Sequence, residues 1–287
     1  MPDALNPAQI QTARTVSELR RTVAELRKTK GRIGFVPTMG ALHDGHLQLV
    51  RHARSLCDVV VVSIFVNPLQ FAPTEDLDRY PRQEDKDVAL LQGVGCDLVY
   101  LPTPDILYPK GFSSRIDMQG PALGLETDFR PQFFSGVATV VMKLFNQVGP
   151  DVAVFGEKDY QQLAVIRAMA RDFDLSVEVV GHETVREADG LALSSRNAYL
   201  SAEERVVAPK LHAALLRIRD AAQSGADMNR IIDGEASELI EAGFDKVDYL
   251  TVRDADTLQD LTADSRAGRA LVAAWLGKTR LIDNISV

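Results

Sequence analysis

Cysteine is scarce. Cys57 and Cys96 are the only two in 287 residues, and neither sits in a CxxC pair or at a metal-ligand spacing. That excludes a disulfide scaffold and a cysteine-based zinc site, and leaves two free thiols in a reducing compartment as the expectation. Long apolar runs are missing too, since none reaches the ~20 residues that span a bilayer. The first residues carry no cationic and apolar signal pattern. A soluble, cytoplasmic protein without a membrane partner is expected. Basic residues are in deficit, 32 Lys and Arg against 40 Asp and Glu, for a formal net charge of −8. Such a chain is poorly suited to nonspecific nucleic-acid binding. Any anion site must therefore gather its positive charge locally. There are no internal repeats and no low-complexity tract.

What remains is a globular composition: 46% hydrophobic and 25% charged residues, enough for a large core and two domains. The order of elements reads as β-α repeated. Residues 1–13 are expected to form an extended arm. Thr15 and Glu18 form a capping-box pattern ahead of Val16, Leu19, Val23 and Leu26, and Gly31 ends that helix. Strands are expected at 33–36, 59–66, 97–101, 152–155 and 177–180, with helices after the first strand, near Gln83, over 136–148 and over 160–173. The run 59–66 is apolar apart from Ser63, as suits a strand buried on both faces. Residues 102–135 read as a long irregular connection. After Gly181 the pattern changes to one long helix over 201–224, a second over 228–242, and β segments at 247–252, 269–276 and 280–287. The expectation is an α/β protein: a Rossmann-like, doubly wound parallel sheet in residues 1–184, and a smaller α+β domain with an antiparallel sheet in residues 185–287.

In a parallel sheet, ligands bind outside the carboxyl ends of the strands, where the strand order reverses. Three polar clusters fall at such ends. The first is Met39, Gly40, Ala41, Leu42, His43, Asp44, Gly45 and His46, a glycine-bearing turn between a strand and a helix. Gly40 permits close backbone approach, and the helix start suits phosphate through its N–H groups and dipole. The two imidazoles, three residues apart, can face the same anion. The second cluster is Asn67 with Gln70. The third is Gly156, Glu157, Lys158 and Asp159, where the Lys158 ammonium can neutralise phosphate oxygens. Beyond the sheet, Ser194, Ser195 and Arg196 offer two hydroxyls and a guanidinium in three residues. Gln70 and Gln161 are neutral amides able to hold a hydroxylated acid. Glu84, Asp85 and Asp87 suit a solvated helix start, and one of them could instead hold Mg²⁺.

The stretches PTMGALHDGH, SIFVNPLQF, YPR, FGEKDYQQL, VREADGLALSSRN and TRLIDNI, in this order and over nearly the whole chain, resemble the pantothenate synthetase family of HxGH nucleotidyltransferases. The resemblance implies ligation of pantoate to β-alanine with ATP and Mg²⁺ through a pantoyl adenylate, releasing pyrophosphate and AMP, by a homodimer. It implies an ATP site made by residues 39–46 and 156–159, Val185, Leu193, Ser194, Ser195 and Arg196, with His46 as proton donor, His43 beside it and Lys158 also catalytic. Gln70 and Gln161 would bind pantoate, Gln70 also lying at the β-alanine end, with Asn67 supporting the cavity. Asp87 is matched to the metal region. Departures are Phe133-Phe134 where the family has His-Phe, Lys86 where relatives often have an acid, and Leu193 in place of Met. Rival readings are another HxGH enzyme, transferring a nucleotide to a phosphorylated alcohol, and a non-enzymatic nucleotide-binding regulator. Intact His43, His46 and Lys158 argue against the second.

Overall fold

The computed structural model describes residues 10–72, 77–224 and 226–287. The strands are β1 (Gln11–Ala13), β2 (Ile33–Thr38), β3 (Val59–Ile64), β4 (Leu98–Tyr100), β5 (Val152–Gly156), β6 (Glu178–His182), β7 (Lys246–Asp254), β8 (Gly268–Leu276) and β9 (Thr279–Ser286). The helices are α1 (Val16–Lys30), α2 (Asp44–Leu56), α3 (Glu84–Gln92), α4 (Pro104–Leu107), α5 (Glu126–Phe129), α6 (Phe133–Val148), α7 (Tyr160–Asp172), α8 (Ala202–Val207), α9 (Lys210–Ser224) and α10 (Met228–Glu241). None among the described residues is long and apolar enough to cross a membrane.

The first six strands form one parallel sheet in the order β1-β4-β3-β2-β5-β6. The order reverses between β2 and β5, the switch point at which α/β folds bind ligands. Both faces are covered, as the apolar run in β3 predicts. On one, Leu47, Val50 and Ala53 of α2 and Leu91 of α3 pack on Val36, Val60, Val62, Val99 and Val154. On the other, Phe145 of α6 meets Phe35 and Phe155 edge to face, and the Tyr100 hydroxyl donates to Gln147 at 3.0 Å. The α1 capping box is present: Thr15 Oγ1 accepts the Glu18 N–H, and the Glu18 carboxylate accepts the Thr15 N–H. Both cysteines are buried thiols. Burial pushes the Cys57 thiol up and the Cys96 thiol up to about 12, so neither is poised as a nucleophile.

β7, β8 and β9 form the separate antiparallel sheet. Alternate residues of β8 face opposite ways. Ala270, Val272 and Ala274 pack with Leu211, Leu215 and Ile218 of α9 and Leu239 of α10, while Leu271 joins Leu125, Leu258, Tyr160 and Tyr249. This second cluster draws two outlying segments to the sheet. The chain divides into two compact units: the described residues up to 118 with 130–156 and 165–182, and 119–129 with 157–164 and 183–287. A single cut at 184/185 puts those two segments in the other domain, because a linear reading does not see which sheet face Leu125 and Tyr160 cover.

Other differences are local. Residues 1–9 of the expected arm lie outside the described residues, and 11–13 form β1, an edge strand paired with β4. The connection 102–135 contains α4 and α5, and α6 begins at Phe133 rather than Gly136. The single helix expected over 201–224 is two, because Pro209 has no N–H to continue the ladder from Arg205.

Candidate functional site

In the first unit the turn after β2 is built around Asp87. Gly40 (φ +84°) and Ala41 (φ +52°) both lie in the left-handed region, the second at a cost for a residue with a side chain. Asp87, 1% exposed, accepts the Ala41 N–H on Oδ2 and the Leu42 N–H on Oδ1, each at 2.9 Å, and Gln83 Nε2 donates to Oδ1 at 3.3 Å. Thr38 Oγ1 donates to the Ser63 carbonyl at 2.9 Å and accepts from the Gly40 N–H at 3.3 Å. The strained turn is thus tied down on both sides. It delivers His43 as the N-cap of α2 and His46 one turn on, with ring centroids 4.2 Å apart. The His43 N–H donates to His46 Nδ1 at 3.4 Å. With Nδ1 accepting, neutral His46 carries its proton on Nε2, the nitrogen away from the backbone. Asp44 is exposed and pairs with Arg51 at 3.5 Å.

The expected metal role for Asp87 does not fit this arrangement. Both of its oxygens are taken by backbone donors, a donor set that fixes a turn and leaves poor geometry for Mg²⁺. Among the described residues no group of three His, Cys, Asp or Glu is placed to hold a metal ion.

Asn67 and Gln70 do come together. The Tyr108 hydroxyl donates to Asn67 Oδ1 at 2.7 Å, and burial keeps that phenol protonated by pushing it well up. The carboxamide orientation of Asn67 follows. Its Nδ2 donates to Gln70 Oε1 at 3.0 Å and to the Gly136 carbonyl at 3.2 Å. Gln70 Nε2 is left facing Met39 Sδ at 3.0 Å, a weak acceptor that a better one can replace. The short 3₁₀ turn bearing Gln70 (Pro68–Gln70) lies hard against Gly136. A Cβ at 136 would stand 2.3 Å from the Leu69 carbonyl oxygen. Phe133 takes the Arg130 guanidinium on its ring face at 3.7 Å.

In the second unit Glu157–Asp159 form a 3₁₀ turn. The Lys158 side chain is 21% exposed, and its Nζ lies 3.9 Å from Asp159 Oδ2, a long ion pair. Arg269 donates to the Glu157 carboxylate at 3.1 Å and stacks on Tyr160 at 4.0 Å. Val185 and Leu193 are joined by the Leu193 N–H to the Val185 carbonyl at 2.9 Å. Ser194 caps the 3₁₀ turn Ser195–Tyr199, its Oγ accepting the Arg196 N–H at 3.2 Å.

Gln161 departs from its expected role as an acid-binding residue. It is 4% exposed, its Oε1 accepts the Glu126 N–H at 3.1 Å, and its Nε2 donates to the carbonyls of Pro121 and Gly124, each at 3.1 Å. Both of its amide N–H donors and its carbonyl oxygen are engaged by the segment 119–129. Glu126 in that segment takes both oxygens to Arg280 Nη1 at 2.8 Å and accepts the Tyr249 hydroxyl at 2.8 Å. Gln161→Glu is therefore expected to destabilise the protein by roughly 2–4 kcal/mol, because a carboxylate would face two carbonyls with no donor to offer. The midpoint of urea unfolding checks this, and an unchanged midpoint would return Gln161 to the substrate side. The side chain of the next residue, Gln162, is half-buried and makes no hydrogen bond among the described residues.

Tyr108, Gly136, Gln162, Arg269 and Asn284 are the neighbouring residues that motif reading passed over. Of these, Gln162 lies in the stretch FGEKDYQQL and Asn284 in TRLIDNI.

The geometry has close counterparts. The pantoate-beta-alanine ligase family profile matches residues 11–286. A pantothenate synthetase of Bradyrhizobium sp. is 58% identical over 280 residues, covering 96% of this chain and 98% of that protein. The solved pantothenate synthetase of Thermus thermophilus superposes with a TM-score of 0.89 at 48% identity, over 96% of this chain and 99% of that one. The pantoate-beta-alanine ligase of Francisella tularensis, solved in complex with β-γ ATP and β-alanine, gives 0.81 at 35%, over 96% and 97%. With the profile matched almost end to end and the fold shared with solved members, the chain belongs to the pantoate–β-alanine ligase family.

Proposed function

We propose that the protein joins pantoate to β-alanine in two steps, with pantoyl adenylate held between them. A pantoate carboxylate oxygen attacks the α-phosphorus of ATP, and the bond from that phosphorus to the bridging oxygen breaks to release pyrophosphate. The β-alanine amine, in its neutral form, then attacks the acyl carbon. The carbon–oxygen bond to AMP breaks, and the nitrogen gives up a proton. Both partners of the first step are anions, so positioning and charge neutralisation carry the rate. Lys158 supplies the neutralising charge at the phosphates, and His46 donates from Nε2 to oxygen as charge develops there. Gln70 offers its Nε2 to the acid in place of Met39 Sδ. Gln162, whose amide is uncommitted, serves the acid in place of Gln161. Residues 39–46, 156–159, Val185 and 193–196 contact the nucleotide. The observation that carries this reading is the locked turn presenting His43 and His46, in a chain that matches the family from 11 to 286.

The family likeness also supports a cytoplasmic homodimer that takes ATP, pantoate and β-alanine and works with Mg²⁺. No step is assigned to the metal, because Asp87 is committed to the turn. The testing experiment is exchange of labelled pyrophosphate into ATP with pantoate present and β-alanine absent. Exchange is expected, and a strict requirement for β-alanine would remove the free-standing adenylate. For Asp87, Asp87→Asn keeps one acceptor and turns an amide N–H toward a backbone N–H. An unpaired buried donor costs about 1–3 kcal/mol, so adenylation is expected to slow roughly 10–100-fold. The Mg²⁺ concentration giving half-maximal rate stays where it was. A shifted Mg²⁺ midpoint with an unchanged saturated rate would restore Asp87 as a ligand.

A further inference from the structure

β9 carries two adjacent buried polar residues near its end, Asp283 and Asn284. Asp283 is an anchor. Arg186 donates to both of its oxygens, at 2.6 and 2.9 Å, and to the Gly190 carbonyl at 3.1 Å. Burial alone would raise the Asp283 carboxyl, but His212 and Arg186 outweigh that and hold it below the usual carboxylate range. Asn284 does something different. It is 3% exposed, and its Nδ2 donates to two successive backbone carbonyls, Glu157 at 2.9 Å and Lys158 at 2.8 Å. Its Oδ1 accepts from Arg269 Nε at 2.7 Å. The same guanidinium reaches the Glu157 carboxylate. The planar amide thus spans the peptide that carries Lys158, and Arg269 locks the amide from behind.

We infer that Asn284 is a positioning residue for Lys158. The inference rests on the reading of Lys158 as the cation at the phosphates. Among the described residues the lysine ammonium has only the long contact to Asp159 to steady it, so the direction in which its side chain sets out depends on how the backbone at 157–158 is held. Asparagine is the side chain for this. It has two N–H donors for two carbonyls and an oxygen for the arginine. Aspartate has the same shape and no donor, and would set a negative charge against both carbonyls. Misplacing a reacting group by about 1 Å costs on the order of 10² in rate.

The test is a double-mutant cycle on the full chain, with Lys158→Ala, Asn284→Asp and both together. The readout is pantoate-dependent pyrophosphate exchange. Asn284→Asp is expected to lose about 10–100-fold in kcat, with the KM for pantoate within about twofold, by the positioning argument. The double variant is expected to be no slower than Lys158→Ala alone, since there is then no ammonium left to misplace. A general folding defect would instead multiply onto the Lys158→Ala loss, and that result overturns the proposal, as does an Asn284→Asp rate near wild type. Lys158→Ala at near wild-type rate is the distinct outcome that overturns the reading of Lys158, and the proposal with it. Asn284→Ala, which removes the donors without adding charge, replaces Asn284→Asp in the cycle if the latter does not fold. Failure of both to fold assigns Asn284 to the fold and overturns the proposal.

Discussion

Replacing His46 with alanine is expected to slow adenylation by about 10²–10³-fold, the loss seen when one positioned donor to developing charge is removed. The size follows from how completely the donor is prepared. Asp87 and Thr38 hold a turn with two successive left-handed residues, and the turn sets His43 at the helix entrance. The His43 N–H then takes His46 Nδ1, which leaves the proton on Nε2. A ring oriented before substrate arrives has no reorganisation left to pay for in the transition state. Pyrophosphate exchange measures the step directly. A rate within twofold of wild type would take His46 out of the mechanism, whatever the geometry.

Lys158→Ala is expected to do comparable damage, about 10²–10³-fold, but unevenly between the two steps. In adenylation an anionic carboxylate approaches an anionic triphosphate, and a lost ammonium leaves that repulsion uncancelled. In the second step a neutral amine attacks an acyl carbon, and the charge developing on AMP is less than that on pyrophosphate. Single-turnover conversion of preformed pantoyl adenylate with β-alanine separates the steps. The second step should be slowed far less than pyrophosphate exchange. Equal losses would mean that Lys158 holds the AMP portion throughout.

The contrast between these residues and Gln161 shows what a sequence discloses. His43, His46 and Lys158 stood out because their chemistry coincides with strand ends, and strand ends follow from periodicity and turn residues. The buried strand β3, the α1 capping box and the Gly31 helix stop were legible for the same reason: each depends on neighbours in the chain. Gln161 and Asp87 were misread because a residue type states what hydrogen bonds a side chain can make and not which groups arrive to take them. The carbonyls of Pro121 and Gly124 are 40 and 37 positions from Gln161, and the Ala41 N–H is 46 from Asp87. Pro209 is the opposite case, a local signal for a break that lies inside the helix expected over 201–224. β1 is three residues long, too short for alternation to register, and its strand character comes from β4 beside it.

Gly136 sets a boundary on how this enzyme can be altered. The backbone of the Gln70 turn occupies the place of any side chain at 136, so the close approach of α6 to that turn admits one amino acid. A library that randomises position 136 should return almost nothing but glycine, even under selection for a different acid. Freedom to reshape the surroundings of Gln70 must then come from side chains that can shorten without moving a main chain, Met39 foremost, whose sulfur is only a weak acceptor for the Gln70 amide. The helix and the turn have to be exchanged as a pair, and a change of specificity that needs Gln70 elsewhere calls for a transplant of both segments.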